Sequence, residues 1–308
     1  MNTPRHPFFS EIIRKALVDC LAIDDHLANS NDDPIQMFHS SVAAGIKAEI
    51  IKAGRKLWDR QYVDGNGGNI SVRLSPRYVL CTPTLCSKAD LTLDDLSLID
   101  MENRQLIGSR PQSSEMLLHL EIYKTVPSAH AIIHCHPPYA TAHAIAGVIP
   151  PGNLVPEQEV FCGPLALTPY ETPGTLEFAH TILPVAKKHN TILLANHGVV
   201  CWADTVTHAE WYVEVVDTYC KTIMIASQLK SPLPEIPPEK IAELLAIKKK
   251  LGLPDARLTD DADPEPRVDK SETPYAIPAA LERFKKEELD ELVSSLTDTI
   301  VAFIEKRA

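Results

Sequence analysis

The stretch "AIIHCHPP", residues 131–138, constrains this chain more than any other. A short apolar run opening Ala-Ile-Ile reads as a buried strand. Residues two apart in a strand project from the same face, so His134 and His136 stand side by side. Pro137 and Pro138 stop the ladder at that point, because proline has no N–H to donate to it. A second short apolar strand, "TILLANHG" (191–198), ends at His197. Three histidines at strand ends, two of them on one face, match a catalytic zinc site with three protein ligands and one open position. His119, His143 and His208 fall inside helical patterns and read as polar residues on helix faces.

Around these strands the pattern is mixed. A helix is expected over 40–62, then the loop "DGNGGN" (64–69) leading into an alternating strand, 70–74. Further strands are expected over 78–84, in the latter part of 90–100 and over 131–136. Helices are expected over 113–126, with Ser113 or Ser114 at the cap, and over 139–147, 175–190 and 206–229. Short strands separated by both turns and helices favour an α/β fold with a mixed sheet over a regular doubly wound one. Glu115 lies in the first turn of the 113–126 helix, where a carboxylate complements the helix dipole. Beside a metal it could instead be a ligand or a base. Ser113 and Ser114 at the same helix start can bind an anion through hydroxyls and free N–H groups. "DGNGGN" reads as a turn, or as a second cluster of backbone donors, and lacks the Lys-Ser/Thr ending of a Walker loop.

Composition narrows the class of partner. The formal net charge is −11, which disfavours general nucleic-acid binding but permits an anionic small substrate in a pocket of backbone donors. No apolar run approaches the ~18 residues of a membrane span. The N-terminus lacks the uninterrupted apolar core of a signal peptide. The seven cysteines are odd in number and form no Cys-x-x-Cys pair, so reduced thiols and a cytoplasmic location are expected. Residues 1–37 read as an N-terminal helical extension, before a main folded domain over 38–254. Residues 255–272 hold seven acids, three bases and two prolines, the signature of a solvated linker. Beyond it Leu281, Phe284, Leu289, Leu292, Leu296, Ile300 and Ile304 recur at helical spacing, giving a final amphipathic helix that needs a surface to cover.

The succession "GNISVR", "TPT", "SSE", "HCHPPYATA" and "NHG" resembles the class II aldolase/adducin family, in particular its sugar-phosphate aldolases, over residues 40–254. The resemblance implies a three-layer α/β/α sandwich around a mixed, largely antiparallel sheet. It also implies a homotetramer with active sites between subunits. It assigns His134, His136 and His197 to Zn2+. It gives Gly68, Asn69, Thr84, Ser113 and Ser114 to a substrate phosphate. Glu115 becomes the general base, able also to ligate the metal when no substrate is bound. The implied reaction is aldol cleavage or condensation of a small sugar phosphate or hydroxy-ketone, with zinc as Lewis acid toward an enediolate. Related epimerases carry Asp in the "SSE" position, so Glu115 favours aldol chemistry. A dehydratase or decarboxylase on the same scaffold is the alternative. A non-catalytic adducin-like scaffold is a remote one, since such heads lose the metal histidines.

Three departures from the family pattern bear on mechanism. Leu85 replaces the glycine of "TPTG", where backbone approaches an anion. Glu159 falls near the place of a proton-donating tyrosine and resembles the "QE" of a dehydratase branch, so it is a candidate acid/base beside the metal. Leu251 occupies the place of a second, C-terminal tyrosine and has no proton to give.

Overall fold

The computed structural model describes residues 33–253 and 255–258. Within them lie eight strands: β1 (Asn69–Arg73), β2 (Tyr78–Cys81), β3 (Ser97–Asp100), β4 (Gln105–Ile107), β5 (Ala131–Cys135), β6 (Ala166–Thr168), β7 (Thr191–Leu194) and β8 (Gly198–Ala203). They form one sheet in the order β4-β3-β2-β1-β5-β8-β7-β6. Every neighbouring pair is antiparallel except β6 with β7. The helices are α1 (Pro34–Phe38), α2 (Ser41–Asp59), α3 (Met116–Thr125), α4 (Pro138–Ala146), α5 (Leu176–His180), α6 (Val206–Leu229) and α7 (Pro238–Lys250).

The two-residue period of the strands splits the core in two. Ile70, Val72, Ala131 and Ile133 face a cluster completed by α2, α4 and α6. Val79, Ile132, Val200 and Trp202 face the opposite cluster, completed by α3 and α5. The result is the α/β/α sandwich that the resemblance implies. Strand β5 is buried on both faces along its whole length, which is why it reads as a continuous apolar run rather than an alternating one. His134 shares the parity of Ile132, so it projects toward the α3 side. Register sets its neighbours: Asn69 of β1 lies opposite His134, and His134 lies opposite Val200 of β8.

Several elements differ from expectation for local reasons. The helix expected over 175–190 ends at His180, and turns carry the chain through Pro184, whose missing N–H interrupts a helical ladder. The helix expected from 113 begins at Met116, because Ser113 N still donates to the Thr82 carbonyl at 3.1 Å in an extended pairing. Strand β8 was not expected at all. It forms a hairpin with β7 in which Leu194 pairs with Gly198 and Asn196 adopts φ 56°, a left-handed conformation that asparagine tolerates. The expected solvated linker does not begin at residue 255. Asp255 is buried, and Ala256–Leu258 is a short 3-10 turn on the domain. Residues 1–32 of the expected N-terminal extension, and the expected C-terminal helix, lie outside the described residues. No helix among the described residues is long and apolar enough to cross a membrane.

Candidate active site

His134 reaches the site from the end of β5, His136 from just beyond it, and His197 from the β7–β8 turn. Their ligand nitrogens all lie within 4.8 Å of one another. Two glycines make this convergence possible. A Cβ on Gly198 would stand 2.4 Å from the Cys135 carbonyl oxygen and 2.7 Å from His136 Cδ2. Gly68 adopts φ +68°, and a Cβ there would stand 2.9 Å from the His134 carbonyl oxygen.

The donor set fits a divalent ion. His134 is fully buried, and its Nδ1 lies 2.9 Å from the Val199 carbonyl oxygen. That oxygen can only accept, so Nδ1 carries the proton and Nε2 offers its lone pair to the site. His136 Nε2 is 3.2 Å from His134 Nε2. Zinc–nitrogen bonds of ~2.0–2.1 Å at tetrahedral angles place two nitrogens ~3.3 Å apart. Glu115 completes the group: its Oε2 is 3.3 Å from His134 Nε2 and its Oε1 is 3.5 Å from His197 Nε2. The histidines are held neutral, the form that ligates. Burial, reinforced by His136 and His197, pushes His134 well below the usual imidazole range. Burial lowers His136 to about 4. Burial also lowers His197, with Glu115 pulling the other way. The lone pair on His134 Nε2 thus faces His136 Nε2 at a distance that suits either an N–H···N bond from His136 or a cation shared between the two rings. His197 also packs on Phe178 of α5, with ring centroids 5.5 Å apart.

The residues expected to hold phosphate are distributed unevenly. The Asn69 side chain is committed to Glu115, its Nδ2 donating to Oε2 at 2.8 Å, while its Oδ1 is buried without a hydrogen-bond partner. Ser113 is buried, and Ser114 beside it is exposed. Thr84 is half-buried, with its N–H donated to the Pro111 carbonyl. Leu85 adopts φ 51°, the left-handed conformation glycine would take, with its side chain 77% exposed.

Glu159 is buried and bonded to residues other than the histidines. It sits in the π-turn Gln158–Cys162 with both oxygens engaged: Oε1 accepts from Asn153 N and Oε2 from Arg257 Nη1, each at 2.6 Å. His119 departs from its helix-face reading: it is fully buried, with Nδ1 2.7 Å from Ser71 Oγ. His143 and His208 remain on helix faces. Leu251 is exposed at the end of α7.

One residue near the site escaped the sequence reading. Lys88 is 1% exposed, and its Nζ donates to the carbonyls of Cys86 (2.8 Å) and Asn66 (3.3 Å). Burial lowers it to about 8, against the pull of Cys86 and Glu115. Its segment, "CSKAD", reads as a polar loop, and nothing local marks that lysine as enclosed.

Fold and site together define a class. The family model described as Class II Aldolase and Adducin N-terminal domain matches residues 48–224, and the chain belongs to that family. Among individual proteins, the chain is 37% identical over 158 residues to a 3-oxo-tetronate 4-phosphate decarboxylase of Haemophilus influenzae, covering 50% of this chain and 75% of that one. It is 34% identical over 183 residues to an L-fuculose phosphate aldolase of Methanococcus maripaludis, covering 59% of this chain and 98% of the other. A solved L-fuculose 1-phosphate aldolase superposes with a TM-score of 0.62 at 29% identity, covering 70% of this chain and 98% of its own.

Proposed function

We propose that this chain is a zinc-dependent carbon–carbon lyase acting on a small phosphorylated hydroxy-ketone, with aldol cleavage as its reaction. One observation carries the reading: a single carboxylate, Glu115, is held by Asn69 against the nitrogens of His134 and His197. A divalent ion bound by the three histidines would supply Lewis-acid polarisation of the substrate's ketone and neighbouring hydroxyl oxygens. The chain's own part is to place a proton. Breaking the bond next to the carbon that neighbours the ketone leaves an enediolate, and Glu115 in its carboxylic form delivers the proton that quenches it. In the condensation direction the carboxylate removes the same proton.

Decarboxylation is the second reading, and a specific observation favours it. Aldol cleavage also needs a base for the hydroxyl that becomes the aldehyde. Glu159 is engaged elsewhere and Leu251 has no proton to exchange. Loss of CO2 from a 3-oxo acid needs only the one proton transfer that Glu115 can supply. The two reactions named for the relatives converge chemically. L-fuculose 1-phosphate split at the bond beyond the carbon that neighbours its ketone, and 3-oxo-tetronate 4-phosphate stripped of CO2, leave the same three-carbon enediolate, which protonation turns into dihydroxyacetone phosphate. The test is therefore the second product. An aldehyde from the sugar phosphate supports aldol cleavage, CO2 from the oxo acid supports decarboxylation, and neither from either substrate would sink both.

The reading includes a cytoplasmic homotetramer, a sugar-phosphate or hydroxy-ketone substrate, and no nucleic-acid or membrane partner. Residues 38–254 form the catalytic unit in this reading. Gly68, Asn69, Thr84, Ser113 and Ser114 border the anion site in it, with the left-handed turn at Leu85 standing in for glycine.

A further inference from the structure

Strand β1 and helix α3 are joined by polar contacts at matched intervals. Asn69 bonds Glu115 at 2.8 Å, Ser71 Oγ lies 2.7 Å from His119 Nδ1 and 2.9 Å from the Tyr123 hydroxyl, and Arg73 donates to the Tyr123 carbonyl. The pairs are therefore 69 with 115, 71 with 119 and 73 with 123. Two residues of strand rise ~6.6 Å and four residues of helix rise ~6.0 Å. The two repeats stay in step over three rungs, and all three strand residues lie on the face that looks at α3.

We propose that Ser71 and His119 are positioning residues for Glu115: the rungs of this ladder set the rotation of α3 on β1 and so fix where the carboxylate stands against His134 and His197. The proposal deepens the metal-site reading above and rests on it. Apolar packing selects that rotation only coarsely. The buried residues of α3 are Met116, Leu118, His119, Leu120, Ile122 and Tyr123, which at 3.6 residues per turn spread over an arc of about 200°. Apolar burial is non-directional. Nor does a cap set the rotation, since Glu115 is itself the N-cap and its side chain makes no cap bond. Directional bonds inside a dry core are what single out one arrangement.

The middle rung admits one continuous proton order: the Tyr123 hydroxyl to the His130 carbonyl at 3.3 Å, Ser71 to the Tyr123 oxygen and His119 Nδ1–H to Ser71; the reverse order, Tyr123 to Ser71 to His119 Nδ1, keeps the same two Ser71 contacts. Burial holds His119 neutral by lowering it to about 3. Ser71 is fully buried and Tyr123 nearly so, so water is not at hand to replace a lost partner.

The test is a double-mutant cycle read by Co2+ titration of the full-length protein freed of metal with a chelator. Ser71→Ala should raise the Co2+ dissociation constant about tenfold, the lower end of what loss of an outer support costs. On a Glu115→Gln background the same change should act by less than about twofold, because the group it positions is gone. An equal factor in both backgrounds would show a general structural role and overturn the proposal, as would no effect in either. Should Ser71→Ala fail to fold, Tyr123→Phe trims one hydroxyl from the same chain of bonds, keeps the ring, and is judged by the same two backgrounds. Wild-type protein that bound no Co2+ would instead overturn the metal reading beneath it, a result distinct from either of those.

Discussion

Removing the Asp255 carboxylate should unfold the domain far more readily than its position, at the expected start of a linker, suggests. Lys248 and Asp255 are paired at 3.0 Å with both side chains fully enclosed. Arg257 binds Asp255 through Nε at 2.9 Å and Nη2 at 2.8 Å, and reaches Glu159 through Nη1. Among the described residues, the Lys248 ammonium in Asp255→Ala keeps only the Glu159 carbonyl, at 3.5 Å, and faces the Arg257 charge. Leaving one partner of a buried pair uncompensated costs about 3–5 kcal/mol. In a domain of this size each kcal/mol lowers Tm by roughly 2–4 °C, so a fall of roughly 6–20 °C is expected. Thermal melting at neutral pH, followed by circular dichroism, measures it. The paired replacement Lys248→Met with Asp255→Leu should lie within about 1 kcal/mol of wild type, since an apolar pair of similar volume replaces the charges. The pH dependence has a definite sign. Asp255 is held down to about 2 against an ordinary 3.8, by its bonds to Arg257 and the Lys248 charge outweighing burial. Its contribution is therefore present above the ordinary value and lost as pH falls toward 2. A Tm change below about 2 °C, or a double variant as unstable as the single one, would refute the reasoning.

Other consequences are as direct. Glu115→Gln should retain stoichiometric zinc on the three histidines while turnover falls by about 10²–10⁴, the range for a lost acid–base group; unchanged turnover in a steady-state assay would remove its role. Gly198→Ala drives a methyl into the Cys135 carbonyl and His136, so the purified variant should lose metal and melt lower, whereas full metal content would contradict the packing argument. Arg257→Ala should lower Tm without changing the metal stoichiometry, because its partners are Glu159 and Asp255 rather than the histidines; metal loss in that variant would tie Glu159 to the site after all.

What was legible in the sequence was what a short window can hold. The parity of His134 and His136, the stop at Pro137, and the placement of His197 after a strand all follow from local periodicity, and the structure brings the three together. The family resemblance supplied the layer order, which periodicity alone does not. The failures are long-range. His119 reads as an outward polar residue because its partner, Ser71, is 48 residues away on a strand. Glu159 reads as a candidate acid/base because its partner Arg257 is 98 residues on, in a segment whose charge density suggests solvent. Lys88 reads as a loop lysine because one of the carbonyls that holds its ammonium, that of Asn66, is 22 residues away. Pro184, by contrast, was a local signal strong enough to have shortened the 175–190 helix in advance.

The central claim is that His134, His136 and His197 hold one divalent ion. Elemental analysis of the purified full-length protein beside His134→Ala tests it most directly. The account predicts close to one zinc per chain in the wild type and essentially none in the variant. A wild type without metal, or a variant that keeps its full complement, would contradict it.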